Sequence, residues 1–150
     1  MLKPLSPGRE AHIAPIQIGR PLGTVQPVLS IARHLDIEVE DSSDLHVTLI
    51  WSRRPVNWAL DIFQPRAYPL IIDPQPFEII RFDDKAVLKF KSKALDARNA
   101  SLTAAGARSD SEAYVPHITL GRWPGSVSRT IFPLDAALVL APEYRKPAKI

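Results

Sequence analysis

Hydrophobic and polar positions along the chain switch between a period near two and a period near three and a half, and the switches outline a set of elements. After an irregular arm over residues 1–10, Ile13-Ala14-Pro15-Ile16-Gln17-Ile18 reads as a first strand, with Pro15 confining it to an edge or a beginning. From Leu22 to Leu35 the apolar positions Leu22, Val25, Val28, Leu29, Ala32 and Leu35 keep helical spacing, and Pro27 marks a late true start. Leu45 to Ser52 is rich in apolar and β-branched residues and reads as a strand, followed by a loop over Arg53 to Trp58. Three further strands are expected over Tyr68 to Ile72, Phe77 to Phe82 and Val87 to Lys91, the last two joined by a hairpin turn at Asp83-Asp84-Lys85. Ala94 to Ala105 reads as a second helix closed by Gly106. Strands over Val115 to Arg122 and Ala136 to Leu140 complete the pattern. This order predicts an α+β domain of two similar halves, each with a helix and a principal strand.

Composition narrows the choice. A length of 150 residues suits one domain, and 45% hydrophobic with 23% charged residues is ordinary globular composition. The absence of cysteine excludes disulfides, thiolate metal sites and cysteine nucleophiles, and points to the cytoplasm. No apolar run is long enough to span a bilayer and the N-terminus has no apolar leader segment, so neither secretion nor membrane insertion is signalled. The net charge of +3 is scattered rather than clustered. It favours a small anionic ligand over a long nucleic-acid duplex. Fifteen prolines imply many turns and edges.

Candidate chemistry lies in two matched segments, His46-Val47-Thr48-Leu49 and His117-Ile118-Thr119-Leu120. In a strand, residues two apart share a face, so each segment presents an imidazole beside a hydroxyl while Val47 or Ile118 points the other way. A single His-x-Thr is more often a packed or hydrogen-bonded histidine than a catalyst. With five threonines in 150 residues, each of the four histidines has about a one-in-thirty chance of such a neighbour. Two pairs therefore arise by chance in roughly one chain in a hundred. Two imidazoles and two hydroxyls across a cleft offer a general base, a general acid and donors to phosphoryl oxygens. No carboxylate cluster suited to a catalytic magnesium is visible, so no metal and no cofactor is expected.

Those motifs resemble the 2H phosphoesterase superfamily, named for two H-x-T/S-x motifs. Within it the chain is most similar to the phage anti-CBASS nucleases, which degrade cyclic oligonucleotide messengers of bacterial antiphage signalling. The closer likeness rests on Leu45 to Trp58, on Gly106-Ala107 with Asp110, on Tyr114-Val115-Pro116-His117-Ile118-Thr119-Leu120, and on Glu143-Tyr144. It spans roughly Leu45 to Pro147, with the first strand and helix fitting in outline. The resemblance implies a bilobal fold in which two mainly antiparallel sheets line a central cleft with helices outside. It departs from such enzymes in lacking an aromatic side chain between Ile13 and Ile18.

The implied reaction is metal-independent cleavage of a 3′-5′-linked cyclic di- or trinucleotide, with His46 and His117 as acid and base and Thr48 and Thr119 holding phosphoryl oxygens. Phage origin would place it in the host bacterial cytoplasm. For ligand binding the candidates are Trp58 and Tyr144 as stacking aromatics, ahead of Trp51 and Trp123, with Trp51 reading as core beside its apolar run. Glu143 is a candidate for accepting from a guanine edge or ribose hydroxyl. Arg53, with Arg54, directly follows the first motif strand and is a candidate for meeting phosphate. His12 and His34 have no partner motif and read as surface or structural residues. Two other functions fit the same residues: a 2′,3′-cyclic phosphodiesterase acting on RNA or tRNA ends, and a binding module that sequesters a nucleotide without turnover.

Overall fold

A computed structural model of the chain describes residues 12–110, 113–133 and 136–149; the expected arm over residues 1–10 lies outside them. Nine strands and two α-helices occur among the described residues. They are β1 (Ile13–Pro21), α1 (Gln26–His34), β2 (His46–Asn57), β3 (Leu70–Ile72), β4 (Pro76–Phe82), β5 (Lys85–Lys89), α2 (Lys93–Ala104), β6 (His117–Arg122), β7 (Arg129–Pro133), β8 (Leu138–Leu140) and β9 (Tyr144–Lys146). The fold is α+β and its strand pairings are antiparallel, as expected. The two sheets are unequal. Seven strands form one sheet in the order β7-β4-β5-β6-β2-β1-β9, and β3 pairs only with β8. Both histidine motifs lie in the large sheet, where the β2–β6 seam is held in register at Val47 and Ile118.

Local chemistry explains the elements. In α1, Pro27 occupies the first turn, where its missing N–H removes no helical bond, and Val28, Ile31 and Ala32 turn into the core. The helix stops at Leu35, and Asp36 then takes a left-handed φ of 57°. In α2 the Ser92 hydroxyl caps the start by accepting from the Leu95 N–H at 3.2 Å. Gly106, at φ 114°, follows the other end as expected.

β2 departs most from the expectation. It continues to Asn57 through the segment read as a loop, and the ladder to β1 accommodates this with a bulge. Ala14 pairs Val56 and Ile16 pairs Ser52, so only Pro15 lies opposite Arg53, Arg54 and Pro55. Two prolines sit where the ladder is broken, so neither removes a bond that the ladder would have made. A second irregularity falls between Ile18, paired with Ile50, and Gly19, paired with Thr48, leaving Leu49 as the extra residue. β7 and β9 were not anticipated; both are short edge strands, exposed or half-buried along their length.

The core is apolar and continuous. Val47 and Ile118 are fully buried at the seam, with Ile16, Ile18, Leu49, Leu88, Leu95 and Leu102 packed in the same cluster. Asn99 of α2 donates to the Leu49 carbonyl at 2.7 Å, giving the extra residue of the bulge a partner and fastening the helix to β2. No helix among the described residues is long and apolar enough to cross a membrane.

Candidate active site

The antiparallel register sets the site. With Val47 opposite Ile118 and both side chains in the core, their neighbours project from the other face: His46 lies across from Thr119, and Thr48 across from His117. Directly opposed side chains begin roughly 4.5–5.5 Å apart and diagonal ones roughly 7–8 Å apart at Cβ. The two imidazoles are the diagonal pair, with the hydroxyls on the other diagonal.

The imidazoles are held alike. His46 Nδ1 lies 2.6 Å from the Asp44 carbonyl and His117 Nδ1 lies 2.8 Å from the Val115 carbonyl, in each case two residues back along the chain. A carbonyl oxygen only accepts, so Nδ1 carries the proton in both rings. That fixes the tautomer and leaves Nε2 as the atom that exchanges a proton with anything bound between the strands.

A cleft of about 640 Å3 opens on this face, lined by Thr48, Trp51, Ile80, Phe82, Val87, Lys89, Tyr114, His117 and Thr119, among others. Lys89 pairs with His117 across β5 and β6 and brings a cation, shared with Glu78 at 3.4 Å. Tyr114 donates to the Thr48 carbonyl at 2.9 Å, tying the loop before β6 to the motif strand. Burial, with Asp96 nearby, pushes its hydroxyl pKa well above the ordinary tyrosine value.

Tyr144 of β9 stands beside His46, with ring centroids 6.2 Å apart and planes at 74°. It reaches there across Gly19, where an added Cβ would lie 2.5 Å from the tyrosine oxygen and 2.8 Å from the Val47 carbonyl. Gln17 donates to the Tyr144 hydroxyl at 3.3 Å, and partial burial raises that hydroxyl's pKa.

Trp51 corrects an expectation. Strict alternation from Thr48 would put Trp51 in the core; the extra residue at Leu49 shifts the phase, so Leu49 and Ile50 are both buried in the wall of the cleft and Trp51, half-buried, lines it beside them. Arg53 lies over the Trp51 ring at 5.1 Å and approaches Asp110 at 3.6 Å.

Other candidates lie elsewhere. Trp58 is ten residues beyond Thr48 along β2 and its extension, roughly 30 Å at strand rise. Its ring stacks on His12 at 5.1 Å, Arg145 covers it at 4.6 Å, and its indole N–H donates to the Ala14 carbonyl. Trp123 is buried and donates to the Leu35 carbonyl. His34 packs edge-on against Phe132. Glu143, expected past the last strand as a ligand carboxylate or a solvated one, is buried and saturated. Arg98 grips it through two bonds of 3.0 Å, the Arg66 N–H donates at 3.1 Å, and Arg20 stands 3.7 Å away. Burial lowers the Arg20 pKa, and the Glu143 charge opposes that shift. The motifs marked three of the residues at the cleft, Thr48, His117 and Thr119; Trp51, Tyr114 and Lys89 depend on a bulge and on cross-strand pairing that no local pattern displays.

Fold and site together define an α+β protein in which two histidine-threonine pairs lie side by side on adjacent antiparallel strands, with Thr48, His117 and Thr119 lining the cleft and His46 beside Tyr144. The family model described as anti-CBASS protein Acb1 matches residues 20–149, and the chain belongs to that family. Family membership carries an anti-CBASS function, with which degradation of cyclic nucleotides is consistent. The chain matches no curated protein closely enough to name a relative.

Proposed function

We propose that the chain is a phosphodiesterase of the two-histidine class that degrades 3′-5′-linked cyclic di- and trinucleotides in the bacterial cytoplasm, so evading CBASS defence. The observation that carries this reading is the matched tethering of both imidazoles, each with Nδ1 on a carbonyl and Nε2 left for proton exchange, beside two threonines.

In the first step one imidazole takes the proton of a ribose 2′-hydroxyl while its oxygen bonds to the adjacent phosphorus. The P–O5′ bond breaks and the departing oxygen receives a proton from the other imidazolium, giving a 2′,3′-cyclic phosphate end. Water then opens that ring with the two histidines exchanging roles. Thr48 and Thr119 donate to the phosphoryl oxygens as negative charge builds, with Lys89 adding to the local positive field. The two proton transfers are complete without a metal ion, so turnover is expected to persist in excess chelator.

The test incubates pure protein with cyclic di- and trinucleotides, their 2′-deoxy analogues and 2′,3′-cyclic mononucleotides, and identifies products by mass spectrometry. Ribose rings should open and deoxy rings should not. Rapid cleavage of a deoxy ring would replace the 2′-hydroxyl by water as nucleophile. Depletion of ligand only up to the protein concentration would make the chain a sequestering module instead.

A further inference from the structure

Beyond Tyr114, on the side away from the histidines, lies a second cleft of about 620 Å3 lined by Arg53, Arg54 and Arg108 together with Asn99, Thr103 and Asp110. Ser109, Asp110 and Tyr114 line both clefts, so the two are continuous. Its arginines come from two segments that the fold fastens together. The bulge opposite Pro15 takes Arg53 and Arg54 out of the β1 ladder. Ser52, fully buried, accepts from the Arg108 N–H at 3.0 Å and donates to the Arg54 carbonyl at 2.8 Å, joining the bulge to the loop after α2. Three arginines thus line one pocket in which Asp110, 3.6 Å from Arg53, is the one carboxylate among the described lining residues.

We propose that Arg53, Arg54 and Arg108 form a second phosphate subsite, which holds a phosphate of the substrate other than the one being cleaved and favours larger cyclic oligonucleotides. The proposal rests on the phosphodiesterase reading above. Guanidinium groups match phosphate oxygens in geometry as well as charge, and like charges gathered at one surface are relieved by an anion. Distance gives the size preference. Thr48 and Arg53 are five residues apart on β2, roughly 15 Å at strand rise. A cyclic dinucleotide tethers its second phosphate close to the first, whereas each added nucleotide widens the ring and brings another phosphate toward the arginines.

The test measures kcat and KM for cyclic di-, tri- and tetranucleotides with wild type, Arg54→Ala, Arg108→Ala and the double variant. Charge-assisted bonds of this kind are typically worth about tenfold or more in binding. KM for the tetranucleotide should rise roughly tenfold in each single variant and further in the double, with the smallest rise for the dinucleotide. Arg54→Lys should recover part of the loss, since it restores the charge without the fork. Pyrophosphate serves as the free-anion probe. Competition that strengthens with ring size supports a substrate phosphate in the pocket, and inhibition equal for all rings shows a separate effector site and overturns the proposal. Unchanged KM, or an equal rise for every ring, also overturns it. A wild-type protein that opens no ring overturns the functional reading itself, an outcome distinct from the other two.

Discussion

Two regions of this molecule concentrate polar side chains, and they use them in opposite ways. Around Glu143 every strong group is committed: the carboxylate receives two bonds from Arg98 and one from the Arg66 backbone, and Arg20 donates to the Tyr68 and Ala141 carbonyls at 2.7 and 3.0 Å. Around the histidines each ring is tied at Nδ1 to a backbone carbonyl, and His117 with both motif threonines lines a cleft. The first region fastens β1, α2 and the segment before β9 to one another. The second holds each imidazole through Nδ1 in the hydrogen bonds among the described residues. A polar residue whose bonding capacity is spent on the fold has little left for a ligand, and that distinguishes the two regions better than residue type does.

The largest expected effect breaks the open region. His46→Ala and His117→Ala should each lower turnover by about a hundred- to ten-thousand-fold, as is usual for loss of a general acid or base. Thermal unfolding should barely change, because His117 is exposed and His46 only half-buried. Near wild-type kcat in either folded variant would remove that histidine from the chemistry.

Glu143→Gln breaks the closed region instead. Removing one partner from a buried ion pair typically costs about 3–5 kcal/mol, here because Arg20 and Arg98 would keep their charges without the carboxylate. Chemical denaturation should register that loss, while KM of the remaining folded protein stays near wild type. Wild-type stability with a raised KM would return Glu143 to ligand binding.

The two tryptophans of β2 and its extension sharpen the contrast. Trp51→Ala should raise KM for cyclic dinucleotides by the equivalent of about 1–3 kcal/mol if a base stacks on that ring. Trp58→Ala should act on stability alone, since His12 and Arg145 already cover its faces. Kinetics and melting curves on both variants decide it, and a KM effect confined to Trp58→Ala would invert the assignment.

What could be read in advance followed from local rules. The helices over Gln26–His34 and Lys93–Ala104 announced themselves through spacing, Pro27 and Gly106. The paired His-x-Thr segments depend only on the two-residue period of a strand. What escaped depends on register between distant segments. Trp51 reads as core because it lies beside an apolar run, and nothing local marks Leu49 as an extra residue; the break exists only in the pairing with β1. Glu143 reads as a ligand or solvated carboxylate because its partners Arg20 and Arg98 are far away in sequence, 123 and 45 residues. β7 and β9 were missed because three- to five-residue edge strands bury too little to leave a hydrophobic pattern.

Tyr114 lies between the two arginine-lined and histidine-lined clefts and gives the smallest effect. Its hydroxyl donates to the Thr48 carbonyl, so Tyr114→Phe should cost about 1 kcal/mol at neutral pH. That cost should depend on pH in one direction. Burial raises the folded-state pKa of Tyr114, while the unfolded chain ionises near pH 10. Below that pH the hydroxyl is protonated in both states and its contribution is fully present. As pH climbs past 10 toward the raised folded value, the unfolded chain sheds the proton while the folded one keeps it, and the contribution is lost. Denaturation of both proteins at pH 7, 9 and 11 should therefore show wild type ahead at the first two and its lead shrinking at the third. Tyr144, also raised, is common to both and cancels in the difference. A lead that stays constant to pH 11 would mean that the Tyr114 hydroxyl meets solvent, and the loop that separates the two clefts would lose its tie to the motif strand.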